Sequence, residues 1–209
     1  MPAVLATDDL TLVQRAKSGD ARAFKLLVER YQRKVISVAL GMVKDREEAM
    51  DVAQEAFIKV HKYLDHFKGD SSFYTWLYRI TVNICIDVIR KRGSMRGESV
   101  EFDETVQMDT SEANLGALGS RLGTNPQKSA LRRELAEKIE EALQQLPEKH
   151  RAILLLREVE GMSYDDLART LEVPKGTVMS RLFHARIKVQ KLLSKYLELD
   201  EATSGVGSE

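Results

Sequence analysis

An all-α protein, built as two small helical domains joined by a flexible acidic linker, is predicted by three observations. On either side of residues 94–125 the apolar residues recur at steps of three and four, and no segment alternates as a strand would. Residues 94–125 break that pattern: four glycines (Gly97, Gly116, Gly119, Gly123) and six acids against two bases give loop composition with no helical period. Helix-start residues stand just ahead of the periodic runs, among them Asp20, Asp45, Pro126, Pro147 and Ser163. The expected organisation is a first domain over 1–93, a linker over 94–125, a second domain over 126–198 and a disordered tail over 199–209.

In the first domain Gly19-Asp20 ends one segment, and Asp20 caps a helix through Phe24, Leu27, Val28, Tyr31, Val35 and Val38. Val43-Lys44-Asp45 marks the next break, where Asp45 and Glu48 stand at capping-box spacing. The helix that follows carries Ala49, Val52, Ala53, Ala56, Phe57, Val60 and Leu64 on one stripe and Glu48, Asp51, Gln54, Glu55, Lys59 and Lys62 on the other. A Gly69-Asp70-Ser71-Ser72 loop then opens a third long helix. Short loops between amphipathic helices specify a compact bundle.

Four helices are expected in the second domain. One follows Pro126 through Leu131, Leu135, Ile139 and Leu143; Pro147 starts the next, which contains Ile153 to Leu156 and stops at Gly161. Ser163 and Asp166 form a capping box for a short helix with Leu167, Ala168 and Leu171. After Val173-Pro174-Lys175-Gly176 the last helix runs from Thr177 to about Tyr196. A short capped helix, a tight turn and a longer basic helix make a helix-turn-helix pattern.

Composition removes several function classes. Lys+Arg and Asp+Glu number 32 each, so the net charge is zero. Their distribution is uneven: residues 1–93 hold 16 bases and 12 acids and residues 126–198 hold 14 and 11, two mildly basic blocks around an acidic connector. The single cysteine, Cys85, excludes an internal disulfide and a cysteine-rich zinc site. His61, His66, His150 and His184 are dispersed, and no convergent polar cluster suggests an enzyme, a metal or a cofactor. No apolar run reaches membrane length and the start lacks a basic secretory signal, so a cytoplasmic protein with no direct membrane insertion is expected.

Two constellations point to nucleic acid. Of 13 aromatic residues (six Phe, six Tyr, one Trp) four fall within six positions, Phe73, Tyr74, Trp76 and Tyr78, and the same helix closes with Arg90-Lys91-Arg92. Stackable faces beside cations suit single-stranded nucleic acid, although a core stripe is the ordinary use of clustered aromatics. Trp76 falls near the core stripe of Phe73, Leu77, Ile80 and Ile84, which makes it more structural than Tyr74 and Tyr78. In the last helix Val178, Leu182, Ala185 and Val189 form the core stripe, and Ser180, Phe183, His184, Ile187 and Lys191 lie opposite. Apolar contacts beside hydroxyl and imidazole groups fit a major groove, with Arg181 and Arg186 flanking for phosphates; packing of Phe183 and Ile187 on another helix is the competing use.

Taken together these motifs resemble the extracytoplasmic-function (group IV) sigma factors of bacterial RNA polymerase, the RpoE-like branch of the sigma-70 family. The resemblance rests on Gly19-Asp20-x-x-Ala23-Phe24, on Asp51-Val52-Ala53-Gln54-Glu55-Ala56-Phe57-Ile58-Lys59, on Phe67 to Ile80, on Leu146-Pro147, and on Gly161 to Ala168 with Gly176-Thr177-Val178-x-Ser180-Arg181-Leu182. It covers residues 8–93 and 126–196. It implies a non-catalytic initiation factor whose first domain is sigma region 2 and whose second is region 4. The polar face Asp51, Gln54, Glu55 and Lys59 would dock core RNA polymerase (beta and beta-prime subunits). Lys68, Ser71, Ser72, Tyr74, Tyr78, Arg79, Asn83, Arg90, Lys91 and Arg92 would take and help melt the minus-ten promoter element. Lys175, Thr177, Ser180, Arg181, Phe183, His184, Arg186 and Lys188 would read the minus-35 element. An anti-sigma factor is the implied regulator, one that would hold the protein inactive until an extracytoplasmic stress and could bring it to the membrane; no cofactor, metal or small-molecule substrate is implied. Many members carry basic residues at the positions of Met179 and His184, so the upstream sequence preference does not transfer. The alternative is a free-standing helix-turn-helix regulator on duplex operator DNA.

Overall fold

The computed structural model describes residues 8–96 and 126–204, with side chains over 8–94 and 133–194. Residues 97–125 of the expected linker, residues 1–7 of the first domain and residues 205–209 of the tail lie outside them. All described regular structure is helical, with no strand. The first bundle comprises α1 (Asp9–Lys17), α2 (Ala21–Val43), α3 (Arg46–Tyr63), a 3₁₀ turn (Leu64–His66) and α4 (Phe73–Arg96). The second comprises α5 (Pro126–Gln144), α6 (Glu148–Glu158), α7 (Tyr164–Leu171) and α8 (Lys175–Ser204).

The caps read from the sequence are formed. Asp20 accepts from the amides of Arg22 and Ala23 at 2.9 and 3.2 Å, Asp45 from that of Glu48 at 2.9 Å, and Ser163 from that of Asp166 at 3.1 Å, each satisfying otherwise orphaned first-turn donors. Gly161, at φ +69, takes the left-handed conformation that ends the α6 segment at little steric cost.

Boundaries differ in four places. Helix α4 runs on to Arg96, three residues into the segment expected to be linker, and stops before Gly97. Pro126 is the first residue of α5 rather than its predecessor, in keeping with its preset φ. The last helix starts at Lys175, two residues before Thr177, because Gly176 is tolerated in a first turn. It also runs on to Ser204, through half of the segment expected to be a disordered tail: Leu197 to Ala202 contain no breaker before Gly205.

The α2, α3 and α4 stripes bury Leu27, Tyr31, Val35, Ala53, Phe57, Val60, Phe73 and Leu77, with α1 closing one end through Leu12 and Val13. A second apolar cluster is shared between the bundles. It joins Val38, Met42, Tyr78, Val82 and Cys85 of the first to Ile153, Leu155, Met162, Leu167 and Leu182 of the second. Helices α2 and α4 thus pack on α5, α6 and α7. Gly41 lies in this contact, where an added Cβ would stand 2.8 Å from a methyl of Leu155. No helix among the described residues is long and apolar enough to cross a membrane.

Candidate nucleic-acid interface

Helix α4 begins with its hydroxyls already engaged. The amide of Thr75 donates to Ser72 Oγ at 3.1 Å and the two hydroxyls pair at 2.8 Å, so Ser72 is the N-cap. Lys17 Nζ donates to the carbonyl of Phe67 at 2.6 Å and ties the preceding loop to α1. Phe67 and Phe73 are buried, and Trp76 stacks on them with its centroid 5.1 Å from that of Phe67. Lys68 and Asn83 are exposed, and Ser71 is half-buried.

The two tyrosines order themselves against expectation. Tyr78 is 0% exposed, deeper than the half-buried Trp76, because the second bundle covers that side of α4. Tyr74 is half-buried, with its ring centroid 4.7 Å from that of Tyr78. Its hydroxyl donates to the backbone and carboxylate oxygens of Glu160 at 3.2 and 3.3 Å. Burial, then the charge of Glu160, pushes both phenols well above their ordinary range. Lys34 Nζ lies 5.9 Å over the Tyr74 ring and 3.9 Å from the Glu160 carboxylate.

The cations of α4 also have protein partners. Arg79 pairs with Glu172 at 2.5 Å and Arg90 with Glu148 at 2.8 Å, both across the bundle boundary. Arg92 pairs with Glu48 and donates to the carbonyl of Val43, within its own bundle. Lys91 is exposed.

On α8 the core stripe Val178, Leu182, Ala185 and Val189 is buried as its period requires. Thr177, Ser180, Arg181, Phe183, His184, Ile187 and Lys188 are all half-buried, with Phe183 and His184 edge to face at 5.6 Å. Arg186 pairs with Glu158 at 2.6 Å and Lys175 with Asp165 at 3.0 Å.

On α3, Asp51, Gln54 and Glu55 are exposed and Lys59 is half-buried, with Lys59 and Glu55 paired at 2.8 Å. Beside this row runs an apolar groove between α2 and α3, about 590 Å³ in volume and lined by Phe24, Val28, Ile36, Met50, Phe57 and Ile58. Met50 is 52% and Ile58 58% exposed, two large apolar side chains left bare about two turns apart on one helix. The sequence pattern presents this helix face as polar only. Met50 and Ile58, falling off the core stripe, were the available signal. Glu148, Glu160 and Glu172 were also missed, and nothing local distinguishes them from other surface acids.

Two family models match the chain. Sigma-70 region 2 spans residues 27–95, from within α2 to within α4, and Sigma-70, region 4 spans residues 136–189, from within α5 to within α8. The chain belongs to the sigma-70 family of RNA polymerase sigma factors, in its extracytoplasmic-function branch. It is similar to the RNA polymerase sigma-H factor of Pseudomonas aeruginosa, at 42% identity over 189 residues covering 90% of this chain and 95% of the relative. It is also similar to the ECF RNA polymerase sigma-E factor of Escherichia coli, at 41% identity over 191 residues, covering 90% and 97%. Among solved structures, CnrH in complex with the cytosolic domain of CnrY matches with a TM-score of 0.65 at 26% identity, covering 90% of this chain and 97% of that one. The sigma factor RpoE of Bartonella quintana, crystallised with the anti-sigma factor NepR, shares the fold with a TM-score of 0.60 at 23% identity, covering 83% and 98%. The chain is accordingly an alternative sigma factor that directs transcription initiation, in a family whose members act by binding rather than by covalent chemistry.

Proposed function

We propose that this sigma factor docks core polymerase through Asp51, Gln54, Glu55 and Lys59 together with the neighbouring apolar groove. It then takes the minus-ten strand on α4 and reads the minus-35 duplex with α8. The observation that carries this reading is the arrangement of the first bundle. An exposed acidic-polar row beside bare apolar side chains lies on α3, and an aromatic and cationic helix, α4, packs against α3. Interfaces with well-defined anchors combine such apolar centres with polar rims. On α4, Tyr74, Arg79, Asn83, Arg90 and Lys91 supply stacking and phosphate contacts, with Lys68 and Ser71 at the loop, while Ser72 caps the helix and Tyr78 and Arg92 support it from beneath. On α8, Lys175, Thr177, Ser180, Arg181, Phe183, His184, Arg186 and Lys188 form the duplex-reading face.

The protein works in the cytoplasm, has no catalytic role, and needs no cofactor. An anti-sigma factor holds it inactive until an extracytoplasmic stress; the named complexes of CnrH with CnrY and of RpoE with NepR support that partner class. A free-standing operator-binding regulator is not favoured, because the region 2 match accounts for the first bundle.

In vitro transcription on fragmented genomic DNA with sigma-free core polymerase tests the reading. Discrete RNA 5′ ends sharing two spaced upstream elements are expected. Polymerase-independent duplex binding without discrete starts would replace it with the operator-binding reading.

A further inference from the structure

Among the described residues, Met179 is the one large apolar side chain of α8 left exposed, at 52%. It follows Val178 of the buried core stripe by one position and so points away from the core. Phe183 stands four residues on and Gly176 three residues back, positions that a helix sets on one face. The three residues make a strip along the first turns of α8, with Phe183 half-buried behind Met179. Gly176 is an independent sign of a close approach. Alanine would favour the helix more, and a Cβ added there meets no atom within 4 Å. No described residue therefore asks for bare backbone at Gly176. Bare backbone is what a surface from outside the chain needs in order to come close.

The charges around the strip narrow what that surface is. The Val178 amide closes the first turn on the carbonyl of Pro174 at 3.1 Å, so the amides ahead of it belong to a helix start, where an anion is favoured. Lys175 and Arg186 share the flank of Met179 and are held there by Asp165 at 3.0 Å and Glu158 at 2.6 Å. Arg181 and Lys188 project from the other flank. Cations at both edges with an apolar strip between them match a duplex groove, which has phosphates at its rims and base edges within. The strip itself carries no guanidinium, the fork that reads guanine. The base-edge group that an apolar side chain reads is the thymine methyl.

We propose that Met179 is a specificity-determining residue whose side chain packs on thymine methyl groups of the minus-35 duplex. Phe183 backs it, and Gly176 admits the groove wall. The chain thereby selects T·A pairs at one or two adjacent positions of that element. This rests on the reading above that α8 reads the minus-35 duplex. Cytosine and adenine present an amino group to the major groove, and Met179 would strip its water without supplying a good acceptor. Rejection of those bases adds to the attraction for the methyl.

The test uses holoenzyme made from the full chain and core polymerase. The probe is duplex promoter DNA with the upstream element randomised and the minus-ten element held constant. Bound duplexes should be enriched in thymine at one or two adjacent upstream positions. Replacing that thymine by deoxyuridine removes only the methyl group and should weaken holoenzyme binding about fourfold, the factor for one buried methyl. Met179→Ala, a truncation at an exposed site, should bind the thymine and deoxyuridine duplexes equally. Met179→Leu should restore the difference, and Met179→Arg should turn the preference toward guanine. An upstream preference without thymine overturns the proposal, as does equal binding of thymine and deoxyuridine by the parent. So does a methyl preference that survives Met179→Ala; if that variant also weakens binding to both duplexes alike, Met179 meets a protein surface instead. In each of these cases an upstream sequence preference keeps α8 as the duplex reader. If the parent shows no preference anywhere in the upstream element, the duplex-reading role itself fails, and the thymine readout falls with it.

Discussion

Ser163 shows how one hydroxyl shapes the helix-turn-helix. It accepts from the amide of Asp166 and donates to that residue's carboxylate at 2.6 Å, and Arg169 holds the same carboxylate from the next turn. Ser163→Ala should cost about 1 kcal/mol in urea unfolding, a typical loss for an N-cap. Three carboxylates make the protein acid-sensitive. The Ser163 hydroxyl and then Arg169 hold Asp166 below the ordinary 3.8, and Arg15 and the Ala23 amide do the same for Asp20. Burial pushes Glu148 up, but its own amide and Arg90 outweigh that and leave it below 4.5. Lowered acids mean that the unfolded chain binds more protons. Their stabilisation is therefore complete above the ordinary carboxylate range and lost as pH falls through the lowered values. Thermal midpoints should be flat from about pH 6 to 7 and fall below about pH 4; a midpoint rising on acidification would contradict the assignments. Tyr74→Ala, deleting one stacking face, should weaken open-complex formation by about 1–3 kcal/mol, while Tyr74→Phe keeps the ring and loses only the bond to Glu160.

At the scale of the helix, α3 carries two signals on one side. Its exposed row of Asp51, Gln54 and Glu55 has no structural task, since the pair Glu55–Lys59 is an ordinary one-turn contact worth a few tenths of a kcal/mol. Asp51→Lys/Glu55→Lys should leave the urea midpoint within about 0.5 kcal/mol of the parent. The same change should weaken binding to core polymerase by about 2 kcal/mol or more, as for a central interface anchor. Holoenzyme assembly followed by gel filtration or fluorescence anisotropy decides it, and unimpaired assembly would place the docking face elsewhere. The groove predicts a companion result: Ile58→Glu should impair docking as strongly, because an apolar centre tolerates charge less than a rim does.

Across the whole molecule the two bundles share one apolar cluster, and Cys85 lies within it. Burial pushes its thiol up to about 12, with only partial relief from its own backbone and from Arg151. A disulfide reagent should therefore react with native protein at least about a thousandfold more slowly than with free cysteine, through opening events alone. Fast, stoichiometric reaction of the folded chain would mean that the cluster is open in solution.

Periodicity, caps and composition are enough to read seven of the eight α-helices in two groups, because each signal acts within a turn or two of chain; the short α1, Asp9–Lys17, is not among them. The repeated apolar steps in α2, α3 and α8 name the residues that are buried, and the aspartate and serine caps name where helices start. The functional faces were legible where they consist of residues off those stripes, as with Asp51 and Glu55. Two things were decided only by the tertiary structure. One is the depth of Tyr78, which lies on the aromatic helix like Tyr74 but on the side that the second bundle covers. The other is the pairing of Arg79 and Arg90 with Glu172 and Glu148, 93 and 58 residues away. Side-chain type and helical phase dictate which face an element presents, and both are local. Which face meets which partner depends on the summed fit of distant surfaces, such as Leu155 against the bare backbone of Gly41, and no local pattern in the chain encodes it.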